Sequence, residues 1–383
     1  MSICKDRSHL NGMGYVYYYS KDELSPVLAA EMMKRLNVKS VRLWTHIPWL
    51  LRDSETVNRP IADEFHNMYA EMLKAGVTQL VGMSHYWFFP DSLNVLAEEL
   101  SQLPRRDITE GSSYQKFLEL YEQSWYTLVK EFPEVTDWET GNEYNHKVFI
   151  APLVKQGEEP GIFTMAERAD ICTDLMFRSA RAVHAANPGA GIIMPGMAPV
   201  SEQGDGVFFT SIAAEYSGFH DTLTRIYKNI RSGQFGSENP RDFFDYLCWH
   251  PYYAEQRDDG SWHWKIPDSD WVALNRQVYE IAVKAGDPEV GCCLSEFGFN
   301  DGGTDEGDEA FIPHVQEGFR LIREEMPFVD TVHAYRFFDS MGYVTQDRDH
   351  YSFFTMKNGK LTGKKKAIAL QEQYGGSGNL TEE

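Results

Sequence analysis

Glu143 and Glu296 stand where a protein core has little use for a carboxylate. The first closes the stretch Asp137-Trp-Glu-Thr-Gly-Asn-Glu143, and the second lies within Cys292-Cys-Leu-Ser-Glu-Phe-Gly298. Each stretch reads as a strand of aromatic, apolar or β-branched residues that reaches a glutamate and breaks into loop. Two acids at the C-terminal lips of buried strands, about 150 residues apart, are placed to converge over one site. In an eight-fold β/α barrel that lip carries the chemistry, while the opposite end serves stability. A pair of carboxylates is also what acid–base and nucleophilic work on a glycosidic bond requires.

The rest of the chain supplies elements that can hold such a pair. Strand patterns fall at 12–19, 40–45, 78–83, 135–140, 191–195, 246–250, 291–295 and 331–336, with helical patterns at 23–36, 62–75, 114–131, 165–186, 220–230, 271–285, 309–325 and 364–373. Asn37 and Gly76 sit where helix C-termini take a left-handed residue. Near-continuous apolar strands alternating with amphipathic helices predict a parallel sheet covered by helices, and eight units close a barrel. The expectation is one α/β domain, a (β/α)8 TIM barrel over residues 1–374, followed by a flexible tail at 375–383. The segments after strands three to six are long, at about 84–112, 141–163, 196–219 and 251–268. They leave the C-terminal strand ends and are expected to wall the mouth of the barrel.

Composition narrows the function. Among 383 residues, 36 basic against 57 acidic side chains give a net charge of −21, which argues against nucleic acid as a partner. No apolar run approaches the 18 or so residues of a membrane span. The N-terminus lacks the apolar core of a signal peptide, and the five cysteines show no disulfide spacing, so a cytoplasmic protein with reduced thiols is expected. The same reading fits a chain from which a signal has been removed. Oligomeric state is left open.

Taken in order, the motifs resemble those of the clan A retaining glycoside hydrolases. Gly141-Asn142-Glu143-Tyr144-Asn145 ends the fourth strand and is similar to the clan's Asn-Glu. Ser295-Glu296-Phe297-Gly298 on the seventh strand resembles its nucleophile motif, and His250-Pro251-Tyr252 ends the sixth as a His-x-Tyr. Val41-Arg42-Leu43 resembles a second-strand arginine found under the nucleophile, and the segment from Tyr351 to Lys364-Lys-Lys-Ala resembles the clan's closing segment. The Gly-Asn-Glu-x-Asn form leans toward glycoside hydrolase family 39 and its relatives. The resemblance implies Glu143 as acid/base, Glu296 as nucleophile, Asn142 as partner of a sugar 2-hydroxyl, and Arg42, His250 and Tyr252 as groups that keep Glu296 ionised. It implies a carbohydrate substrate and no cofactor or metal, and the long aromatic loops suggest a closed pocket and hence exo-action on short oligosaccharides or small glycosides.

Other residues have two readings each. Glu139 is placed to pair with a cation inside the barrel, and Arg42 serves either as that cation or as the group tuning Glu296. His46 and His85, just past the second and third strands, either bind hydroxyls or cap loops. Trp44, Trp87 and Trp262, with Tyr86 and Trp264, are candidate stacking platforms among 9 tryptophans, 20 tyrosines and 23 phenylalanines that mostly pack the core. The eighth strand lacks the tryptophan common in the clan. There Arg336 either faces the sugar or pairs with Asp339, and a ring of Tyr335 or Phe337 is the alternative occupant. Two rival functions remain. A metal-dependent barrel hydrolase or isomerase draws on His46, His85, Glu143, His250 and Glu296, without a His-x-His or His-Glu-x-x-His pattern. A sugar-binding barrel without catalysis is the other.

Overall fold

A computed structural model describes residues 7–17, 24–85, 102–153, 161–210, 216–338 and 350–382. Eight parallel strands, β1 (Gly12–Tyr15), β2 (Ser40–Trp44), β3 (Gln79–Met83), β4 (Asp137–Glu139), β5 (Gly191–Ile193), β6 (Tyr246–Trp249), β7 (Gly291–Phe297) and β8 (Thr331–Ala334), close into a barrel in chain order. Gly12 pairs with both Ser40 and His333, which seals the first strand to the last. The helices α1 (Pro26–Leu36), α2 (Arg59–Lys74), α3 (Ser113–Glu131), α4 (Met165–Ala186), α5 (Ser217–Arg231), α6 (Ser269–Lys284), α7 (Ile312–Glu325) and α8 (Lys365–Tyr374) follow one per strand. The expected (β/α)8 TIM barrel is therefore present, with its eight units in the expected places.

Helix ends follow from local chemistry. Ser25 Oγ accepts from the Leu28 N–H ahead of Pro26, and Asn37 ends α1 at φ 63°. Thr164 and Glu167 form a reciprocal capping box that starts α4 at the predicted residue. The seventh helix departs from expectation. The pattern read at 309–325 is two helices, Asp305–Ala310 and Ile312–Glu325, because Pro313 has no N–H to continue the first. In the segment expected to be flexible at 375–383, the described residues 375–382 bond back to the barrel. Ser377 N–H donates to Arg35, Gly363 N–H to Leu380 and Glu382 N–H to Leu361, while Leu380 is buried. Leu380 packs as a core residue, which the polar composition around it concealed.

The barrel interior is polar in two layers. Toward the N-terminal end, Ser40 Oγ donates to Gln79, which donates to Asp137, and His333 meets Ser40 at 2.8 Å. One step up each strand, Arg42, Glu139, Cys248 and Ser295 form the next layer. Interior positions two apart on one strand, such as Ser40 and Arg42 or Asp137 and Glu139, show the alternation expected of β-structure.

Long loops cover the C-terminal end. The segments Gln102–Leu103 and Ala151–Pro152 pair with each other, and Ala254–Gln256 with Trp262–Trp264, so loops after β3, β4 and β6 carry their own short sheets. Among the described residues no helix is long and apolar enough to cross a membrane.

Candidate active site

Arg42 enters the site from β2 with no solvent exposure. Its Nε and one Nη donate to Glu139, one Nη donates to Glu296 Oε1 at 2.9 Å, and another contact reaches Asn142 Oδ1 at 2.8 Å. A planar fork reaches four acceptor oxygens on three residues, from β4, the loop after it and β7, which an ammonium cannot do. Burial opposes the guanidinium charge, and Glu139 and Glu296 overcome that opposition and hold it protonated.

Glu296 Oε2 accepts from the Tyr252 hydroxyl at 2.8 Å. Burial pushes the Glu296 carboxyl up, but His250, Arg42 and the Tyr252 hydrogen bond outweigh it and hold the group below the usual carboxylate range. The Tyr252 phenol is pushed well above its ordinary range by burial and by Glu296, so it stays a neutral donor.

His250 stands between the acids. Its Nδ1 lies 2.7 Å from Glu143 Oε1 and 3.7 Å from Glu296 Oε2, and its Nε2 lies 2.9 Å from Ser295 Oγ. Burial lowers the imidazole, and Glu296 and Glu143 together raise it past that to about 9. At neutral pH it is a cation. Two buried cations then face the three carboxyl groups of Glu139, Glu143 and Glu296.

Two backbone irregularities aim these groups. Between Leu294 and Phe297 the pairing of β7 with β8 shifts by one residue, a bulge that spans Ser295 and Glu296. Neighbours on a regular strand face opposite sides, but the bulge lets Ser295 reach Glu139 and Glu296 reach Arg42 within one interior. Glu143 adopts φ 51°, a left-handed conformation costing a side-chain-bearing residue about 1–3 kcal/mol. It is held there by its N–H donating to Gly196 and its carbonyl accepting from His146.

The flanking candidates divide. Trp44, His46 and His85 form one cluster, with ring centroids 5.0 Å apart for Trp44 and His46 and 5.4 Å for the two histidines. Burial holds His85 down to about 3 and His46 well below its ordinary value, so both are neutral. Among the described residues neither Nδ1 meets a hydrogen-bond partner. Arg42 and Glu296 act electrostatically on His85, which places it beside the acids. Trp262 is 37% exposed and packs on Phe208, one step removed from the carboxylates. Trp264, two residues on, reaches Tyr252 at 6.1 Å and Tyr351 at 6.2 Å. Arg336 is buried and donates to the Tyr335 hydroxyl at 3.0 Å, and the Tyr335 ring lies 5.6 Å from Tyr351. Trp87, Tyr86 and Asp339 lie outside the described residues.

Sequence reading missed three participants. Ser295 was passed over because strand alternation turns it away from Glu296, and the bulge left no compositional mark. Gly196 offered only its place after a strand. Tyr351 comes from a distant segment, where Lys366 Nζ binds its carbonyl.

Glu143, His250 and Glu296 present atoms within 4.8 Å of one another, a spacing a divalent cation can bridge. The donor set does not suit one. Glu296 and Glu143 hold the His250 imidazole up at about 9, and a ligand histidine must be neutral.

No protein-family model and no curated protein matches the chain by sequence. Solved structures do match in shape. A family 1 β-glucosidase from Thermotoga maritima, in complex with isofagomine lactam, is 14% identical over 91% of this chain and 86% of its own, with a TM-score of 0.58. The same enzyme with cyclophellitol gives 14%, 91%, 86% and 0.57. The AHE enzyme from Alicyclobacillus herbarius is 11% identical over 96% of this chain and 97% of its own, with a TM-score of 0.61. At such identity the likeness shows a shared fold, and the leaning toward family 39 finds no counterpart in these neighbours.

Proposed function

We propose that this protein is a retaining glycoside hydrolase, with Glu143 as acid/base and Glu296 as nucleophile. One observation carries the reading: an oxygen of each carboxylate lies within 4.8 Å of the other, with His250 between them. Retaining glycosidases hold their carboxyl groups about 5–5.5 Å apart, whereas inverting ones leave about 6.5–9.5 Å for a water. Glu296, ionised through His250, Arg42 and Tyr252, attacks the anomeric carbon as Glu143 gives its proton to the departing oxygen. Water, deprotonated by Glu143, then attacks the same carbon and releases Glu296, so configuration is retained. Each step draws on residues of this chain alone.

Asn142 fits its role through its partner. Because Oδ1 accepts from Arg42, it is the amide NH2 that can donate to a sugar 2-hydroxyl. His46 and His85, kept neutral, suit hydroxyl recognition. The rings of Tyr252, Trp264, Tyr335 and Tyr351 close on one another beside Glu296, which favours a pocket and exo-action on small glycosides.

The test is intact-mass analysis after incubation with 2-deoxy-2-fluoro glycosyl fluorides, followed by peptide mapping. Names of the structural neighbours make β-glucosides the first series to try. A single adduct on Glu296, lost in Glu296→Ala, is expected. No adduct and no hydrolysis with any sugar overturns the reading.

A further inference from the structure

Beneath the acids lies a chain of hydrogen bonds that the reaction as written does not use. Ser295 Oγ lies 2.9 Å from His250 Nε2 and donates to Glu139 Oε1 at 3.0 Å. Glu139 Oε1 also accepts from the Gly196 N–H at 3.2 Å, and Arg42 holds the carboxylate from the other side. Ser295 and Glu139 have no solvent exposure, so neither touches a substrate. We propose that Glu139 and Ser295 are positioning residues that fix His250 Nε2 as a hydrogen-bond donor and so reserve its Nδ1 for the acid/base Glu143.

The argument turns on donors and acceptors. A serine hydroxyl has one proton to give. Glu139, which accepts from Arg42 and Gly196, also accepts that proton from Ser295. Ser295 can therefore only accept from the imidazole, and Nε2 must carry hydrogen whether the ring is charged or neutral. The remaining proton then lies on the line from Nδ1 to Glu143 Oε1. It can pass between them without any other hydrogen bond being remade, which is what a group acting as acid and then as base needs.

The packing around this node is specific to it. A Cβ on Gly196 would sit 2.4 Å from His250 Nε2, 2.7 Å from Ser295 Oγ and 2.9 Å from Glu139 Oε1. The bare glycine lets the three side chains meet. The groups facing His250 are Glu143 from the loop after β4, Glu296 and Ser295 from β7, and Arg42 from β2, with Glu139 behind Ser295. On its own strand Cys248 Sγ meets Ser295 Oγ at 3.1 Å, and the loop after β5 contributes the Gly196 N–H. Removing the Ser295 hydroxyl leaves these charges in place and strips the acceptor from Nε2.

This inference rests on the glycosidase reading for its meaning, and its first test does not. Nitrogen-15 histidine spectra, with His250 assigned by its loss in His250→Gln, report each ring nitrogen directly. In the wild-type protein Nε2 should be protonated from about pH 5 to about pH 10, while Nδ1 loses its proton late. A bare Nε2 anywhere in that range overturns the proposal without recourse to a variant. In Ser295→Ala the ring should titrate about one pH unit lower, since a buried N–H without an acceptor disfavours the charged form. An unmoved titration overturns the proposal as well. In turnover, Ser295→Ala should lose about tenfold in kcat on aryl glycosides with poor leaving groups and less than about threefold on dinitrophenyl glycosides, which need no acid. Equal losses on both overturn the positioning role. Absence of any wild-type turnover counts against the glycosidase reading alone, and the spectra still decide the relay.

Discussion

Replacing His250 by Gln removes a buried cation whose charge depends on pH in an accessible range. The imidazole is raised from 6.5 to about 9, and the side chain has no solvent exposure, so screening does not dilute the effect. At about 1.4 kcal/mol for each tenfold change in proton affinity, this corresponds to about 3 kcal/mol of stability. The sign follows from which state holds the proton more tightly. The folded protein does, so the contribution is complete below 6.5, shrinks as pH rises and is gone above about 9. Urea unfolding of wild type and His250→Gln, followed by tryptophan fluorescence at about pH 6, 7.5 and 9.5, reads the difference directly. Wild type should lead the variant by about 3 kcal/mol more at the lowest pH than at the highest. A gap that stays constant within about 0.5 kcal/mol across the series refutes a charged His250 between the two acids.

Two further perturbations probe other parts of the structure. Arg42→Met strands Glu139 and Glu296 in the interior and should cost about 3–5 kcal/mol in denaturant unfolding; a loss under about 1 kcal/mol removes the buried fork from the argument. Because Arg42 helps hold Glu296 ionised, the milder Arg42→Lys should move the acidic limb of the pH–rate profile upward. In the tail, Leu380→Ala should cost about 2 kcal/mol or more, and a variant as stable as wild type means the segment past α8 adds nothing to the fold.

The fold was legible because repetition carries it. Asn37, Gly76 and the apolar strands each state a local rule, and eight repeats of the pattern leave few architectures to choose from. Glu143 and Glu296 were legible because each is a charge at the end of a strand that packing alone does not explain. Their support was harder to read. The Ser295 side chain faces Glu139 only through the bulge, and a bulge depends on pairing with β8 rather than on the residues of β7. Arg42 had two readings as the partner of Glu139 or of Glu296, and the structure gives it both. Pro313 was visible, yet the helix drawn across it gave way to two. Leu380 sits in glycine-rich surroundings that suggest a loose end, and the distant Gly363, whose N–H donates to its carbonyl, shows where it is held.

The hydrogen bonds of the site also bear on how the protein is assembled. Those from Arg42 to Glu139 and Glu296 span 97 and 254 residues, and that from His250 to Glu143 spans 107. Contacts of such separation repay the entropy of closing their loops only after much of the chain is already in order. Helices and neighbouring strand pairs can form beforehand without bringing the three carboxyl groups and two cations together. Half a barrel leaves carboxylates without their cations, whereas the closed one brings Arg42 and His250 against them. Regain of turnover during refolding therefore reports completion of the whole ring, and it should trail the regain of helical signal.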